Sequence, residues 1–209
     1  DNCHNVNTTV IGISGYTFGG IVGQAGGDIS NCSNTGKIVG SKRSSDEFSQ
    51  TGGIVGYLLK SLTISNCYNS GSVNGEGGYN VGGIVGVIEE SAQITQCYNE
   101  GEVISKHKQV GGIAGTIREK SQVSNCYNLG TITGNGGFAG GIVGVSFEAS
   151  QISACYNKGE ITGDRYFVGG IAGKAETSSQ IINCYNEGKI KGNNVCIGGI
   201  VGYAYNSSQ

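Results

Sequence analysis

"INCYNEGKIKG" (182–192) sets a cysteine among asparagines, a tyrosine and glycines, a composition that invites reading as a metal or redox site. The rest of the chain argues otherwise. "SNCYNSGSVNG" (65–75), "TQCYNEGEVIS" (95–105), "SNCYNLGTITG" (124–134) and "SACYNKGEITG" (153–163) are variants of the same phrase. A residue that recurs at a fixed interval is first a column in a repeating structure.

A second series runs in step with this one. Gly-Gly-Ile occurs at 19–21, 52–54, 82–84, 111–113, 140–142, 169–171 and 198–200, with a constant interval of 29 residues from Gly82 onward. The cysteines Cys3, Cys32, Cys67, Cys97, Cys126, Cys155 and Cys184 keep the same interval over most of their length, and the two series stay in step. Only the second unit is expanded, within the polar stretch "SKRSSDEFSQT" (41–51), which reads as a longer loop.

Composition narrows the class. Net charge is −2, which removes the electrostatic case for nucleic acid, since that binding depends on Lys and Arg neutralising phosphates. No apolar run approaches the roughly 20 residues needed to cross a bilayer, so no membrane insertion is expected. Glycine supplies 40 residues and proline none, but the glycines do not fall at every third position as collagen requires. The absence of methionine marks a processed protein or a piece of a longer one.

Within one unit, "VGGIVGVI" (81–88) reads as a strand, "EESAQ" (89–93) as a turn, and "ITQCYN" (94–99) and "EVIS" (102–105) as two further strands. Each piece is too short and too glycine-broken for a helix. The expected fold is therefore all-β: a parallel β-solenoid, or β-helix, of about seven 29-residue coils forming one repeat domain over 1–209. Stacking at roughly 4.8 Å per coil would give a rod roughly 34 Å long. Glycines at 36, 71, 101, 130, 159 and 188 are expected to supply the backbone conformations of corners. A row of antiparallel hairpins fits the same strand count and stays open as the alternative.

The phrase "GGIVG", a spacer, an Ile, "NCYN" and then "G.I.G" resembles the GLUG motif, a short repeat of bacterial surface proteins and of regions in the M26 immunoglobulin A1 metalloproteases. The resemblance covers nearly the whole chain. It implies a scaffold on an exported protein, extracellular or at the cell surface. The zinc-binding His-Glu-x-x-His of those proteases has no counterpart in the chain, so their activity is not implied.

Seven thiols in a line do not make the tetrahedron that zinc needs. The cysteines read as small apolar residues filling a core column, with disulfides the lesser alternative, and reduced cysteines on an exported protein would suit an anaerobic habitat. Cys196 falls outside the column. The asparagines two positions after each cysteine (Asn5, Asn34, Asn69, Asn99, Asn128, Asn157, Asn186) read as a hydrogen-bonded ladder on the same inward face.

Alternation puts Tyr68, Tyr98, Tyr127, Tyr156 and Tyr185 on the opposite face, either as an exposed surface for sugar rings or partner proteins, or as a stiffening stripe. Ile94 lies three residues before Cys97, so both can face inward only if a corner or bulge intervenes. Varied residues collect in 41–51, 76–80, 105–109, 134–138, 164–167 and 193–196, among them Lys42, Arg43, Tyr79, His107, Phe138, Arg165 and Tyr166. Such loops on a fixed scaffold either recognise a partner or drift as solvated turns.

Catalysis has little support: His4 and His107 fall in different units and columns, and acidic residues do not recur in a shared core column. No cofactor is expected. The closing "YNSSQ" set before the opening "DNC" nearly rebuilds a repeat, which suggests a longer array or end-to-end self-association. The functional expectation is a non-enzymatic structural or adhesive module, a rigid spacer or binding scaffold facing a host protein or glycan. The alternatives are a substrate-recognition region of an M26-like protease, a filament subunit and a carbohydrate-active β-helix.

Overall fold

A computed structural model describes residues 1–13, 15–41, 49–193 and 196–206. Lys42 and Arg43 lie outside the described residues. The chain winds into seven coils whose equivalent strands pair in parallel, so the hairpin alternative is ruled out. No helix of the described residues is long and apolar enough to cross a membrane.

Each full coil holds five strands, two more than the sequence suggests. Over one full turn they are Asn80–Gly82, Val85–Ile88, Gln93–Thr95, Tyr98–Asn99 and Val103–Ser105, numbered here as sheets one to five. Among the described residues, sheets one, two, four and five have seven strands and sheet three has six. Register repeats coil by coil, with Gly82 opposite Gly111, Ile94 opposite Val123 and Asn99 opposite Asn128.

The expected strand 81–88 breaks at Gly83–Ile84 because the chain folds back there: a Cβ on Gly82 would lie 2.0 Å from the Val85 carbonyl oxygen. The expected strand 94–99 breaks at Gln96, which adopts φ 53°. This is the corner that lets Ile94 and Cys97 both point inward, and both are fully buried. The left-handed position before the cysteine is filled by Asn31, Asn66, Asn125 and Asn183 in other coils. Asparagine tolerates that region better than most side chains. The turn after sheet two uses two consecutive left-handed residues, such as Glu90 (φ 57°) and Ser91 (φ 63°).

Glycine therefore does a different job from the one expected of it. The column Gly36 to Gly188 is not left-handed; a Cβ on Gly71 would stand 2.0 Å from the Gly36 oxygen in the preceding coil, and the other members are equally confined. The second glycine of Gly-Gly-Ile is confined from across the coil: a Cβ on Gly83 would lie 2.5 Å from Asn99 Cγ and 2.1 Å from the Gly112 oxygen. The coil is pinched at this point.

The pinch divides the core. One cluster gathers the isoleucines of Gly-Gly-Ile, the sheet-two and sheet-three aliphatics and the cysteines; the other packs Val73, Val81, Val103, Val110, Ile132 and Ile161 between sheets five and one. Each such side chain removed from water contributes about 1.5–3 kcal/mol. No coil could do this alone, because the lids of its core are its neighbours.

Gly83→Ala should lower the free energy of unfolding by about 3 kcal/mol, the upper end for overpacking, since the obstructing atom is backbone. Gly27→Ala, where a Cβ meets nothing within 4 Å, should stay within about 0.5 kcal/mol of wild type. Urea titration of the two variants checks both values.

Candidate functional site

The structure places the cysteine column inside the rod, and each sulfur is held by backbone. Cys97 Sγ donates to the Thr95 oxygen at 3.2 Å and accepts from the Cys67 amide at 3.4 Å. The same pattern links Cys126 to Ser124 and to the Cys97 amide. All eight cysteines are free thiols; Cys3 and Cys196 are exposed and Cys184 is half-buried. Burial, with the contacts to Cys155 and Cys97, pushes the Cys126 thiol well up, and contact with Cys97 followed by burial does the same for Cys67. A thiolate in this row would be buried with only thiols and backbone around it, so the row stays protonated as a unit.

The asparagines form one continuous chain of amide hydrogen bonds. Asn128 Nδ2 donates to Asn157 Oδ1 and to the Gly130 oxygen, both at 2.8 Å, while its Oδ1 accepts from Asn99 Nδ2 at 2.8 Å. Links of 2.7–2.8 Å run from Asn5 through Asn34, Asn69, Asn99, Asn128 and Asn157 to Asn186. Each amide is committed to its neighbours, and Asn34 to Asn157 are fully buried.

On the outer face of the same sheet, the rings of Tyr68, Tyr98, Tyr127, Tyr156 and Tyr185 stack 4.9–5.1 Å apart and within 9° of parallel. The stripe is half-buried except for Tyr185, and partial desolvation raises the phenol pKa of Tyr98 and Tyr127. His4 occupies the same column in the first coil, its Nδ1 2.7 Å from Ser33 Oγ.

The loops between sheets five and one lie at another edge and bring several of the sequence's varied residues together. Tyr79 and His107 stack at 6.3 Å, Lys108 Nζ sits 4.4 Å above the Tyr79 ring, and Phe138 contacts Tyr166 at 5.7 Å. Two cavities share Lys108 and Gln109. One, of about 300 Å³, is lined by His107, Phe138, Arg165 and Tyr166; the other, of about 220 Å³, by Tyr79, Asn80, Thr116 and Arg118. Arg118 is ion-paired with Glu89, whose carboxyl is raised by burial. Thr116 of sheet two and Arg118 just after that strand join this edge, which the reading of loops alone misses.

Carboxylates also recur, but at a surface turn. Glu90, Glu119 and Glu148 line an open hollow with Ser91 and Lys120. Among the described residues no group of three or more His, Cys, Asp or Glu is placed to hold a metal ion.

The sequence model of the GLUG motif matches residues 14–39, 77–104 and 166–191. Each match spans one passage from sheet one to sheet five, so one motif is one coil. No curated protein and no solved structure matches the chain.

Native protein treated with iodoacetamide near neutral pH should label at Cys3 and Cys196 while Cys97, Cys126 and Cys155 react only after unfolding, as read by peptide mass spectrometry. The raised Cys126 pKa exceeds its unfolded value, so its contribution is complete below about pH 8.5 and is lost as pH rises beyond it. The urea midpoint should accordingly fall above that pH. Asn128→Ala leaves Asn99 Nδ2, Asn157 Oδ1 and the Gly130 oxygen short of a partner and should cost about 3 kcal/mol or more by the same titration.

Proposed function

We propose that this chain of GLUG-motif coils is a non-enzymatic structural and adhesive module of an exported bacterial surface protein. It serves as a stiff spacer whose lateral edges present side chains to a host protein or glycan. The observation that carries the reading is the unbroken register of the lateral ladders, in which the asparagine chain runs from the first coil to the seventh.

Bending such a rod means opening one side of several ladders together. Each hydrogen bond contributes about 0.5–1.5 kcal/mol, so no single coil is a hinge. The repeat-type scaffold spends its most constrained residues on packing, and its varied residues sit on the outside. That division suits display at a distance from an anchoring point.

Two measurements test the reading. Small-angle scattering should give a rigid particle with a seven-coil axis of about 34 Å; a flexible or collapsed particle would remove the spacer role. Antibodies raised to the chain should stain intact, unpermeabilised cells that express the native protein. Staining only after permeabilisation would overturn the surface assignment.

A further inference from the structure

We infer that the edge cleft lined by His107, Lys108, Phe138, Arg165 and Tyr166 is a binding site for a carboxylate-bearing sugar unit of an acidic polysaccharide. The inference deepens the display reading above and rests on it.

The cleft exists because one coil lacks side chains where its neighbours have large ones. Register pairs Gln109 with Phe138 and Phe138 with Phe167, so Gly136 and Gly137 stand between His107 and Lys108 on one side and Arg165 and Tyr166 on the other. The two glycines lie directly on the coil below: a Cβ would meet the His107 oxygen at 2.0 Å from Gly136 and the Lys108 oxygen at 2.5 Å from Gly137. The result is a slot one coil wide between side chains about 10 Å apart. Its volume of about 300 Å³ lies at the lower end of ligand pockets.

Three features of the slot select its occupant. Arg165 supplies positive charge to the slot and Lys108 lines it with its ammonium turned 4.4 Å over the Tyr79 ring, while the adjacent carboxylate, Asp164, takes a hydrogen bond from Asn193 at 3.3 Å. An anionic group is therefore favoured, and a guanidinium can hold a carboxylate through two hydrogen bonds. Tyr166 is 58% exposed, packs tilted against Phe138 and Phe167, and leaves part of its ring open to the apolar face of a pyranose. Gln109 Oε1 is buried without a hydrogen-bond partner and needs a donor such as a hydroxyl.

Tyr166 supplies an independent pointer. It is held at φ 56°, whereas neither Lys108 nor Gly137 at the equivalent positions is left-handed. A bulky aromatic in that region is a steric outlier, and such outliers gather at ligand sites. The second cavity continues the groove past Lys108 to Tyr79, Asn80 and Arg118, which fits a polymer lying along the rod better than an isolated monosaccharide. An acidic peptide would satisfy the cations but leave the exposed ring unmatched.

Isothermal titration calorimetry with oligogalacturonate and hyaluronate fragments tests the site, with methyl-esterified oligogalacturonate and poly-glutamate as comparisons. Saturable binding to an acidic glycan is expected, weakened about tenfold or more by Arg165→Gln and by Tyr166→Asn. Tyr166→Asn should match or exceed wild type in unfolding temperature, because Asn tolerates the left-handed region. Loss of binding without loss of stability separates a ligand contact from a structural one. No binding to either glycan, equal binding to the methyl ester or to poly-glutamate, or unchanged affinity in both variants would overturn the assignment. Each of those results leaves the spacer reading intact, since that stands on the scattering measurement.

Discussion

An asparagine side chain has two amide hydrogens and one carbonyl oxygen, and at Asn128, in the middle of this rod, each of the three is committed to a partner. One hydrogen of Asn128 returns to Gly130 in its own coil and the other crosses to Asn157, while the oxygen receives Asn99. A buried amide without these partners would be costly, so every coil must lie in register with the next before any can be buried. The chain of amides thus makes the stacking all-or-none. It also accounts for the lock between the two sequence series, because Gly-Gly from the far side of the coil closes over the same asparagine.

That closure explains the most repetitive residues in the chain. Gly83, Gly112 and Gly141 are needed because backbone and amide approach within a Cβ's radius, and left-handed geometry is supplied elsewhere by non-glycine residues, Asn, Gln, Glu, Ser, Lys, Ala and Thr at the turns and Tyr166 at the cleft. The pinch leaves two slim apolar clusters on either side, each continuous along the axis. Constraint is concentrated inward, and the outer edges are left to carry difference.

The columns were legible in the sequence because one coil is one period: Cys97, Tyr98 and Asn99 alternate in, out and in as strand geometry requires, and the conflict between Ile94 and Cys97 correctly announced a corner. The five-strand cross-section was not legible. A strand of two residues such as Tyr98–Asn99 carries no periodic signal of its own, and the break inside "VGGIVGVI" depends on a carbonyl brought back by the fold. The residue before each cysteine of the column, Asn in five coils, Gln96 and Ala154 in the others, was visible as a letter but not as a left-handed corner. The edge cleft was hidden for another reason. It arises from what adjacent coils hold at one position, Lys108, Gly137 and Tyr166, and aligning the loops coil against coil would have shown the gap.

More residues separate Val39 from Gln50 than separate Gly75 from Asn80, yet Gln50 pairs with Asn80 and Gly52 with Gly82 as though nothing had been added. Lengthening a crossing costs only about 0.6 kcal/mol per doubling, against ladders that are already complete on both sides. This crossing is therefore a splice point. Foreign peptides or whole small domains grafted between sheets five and one would be carried on the outside of the rod, and tandem copies could each bear a different cargo at a set height along its axis.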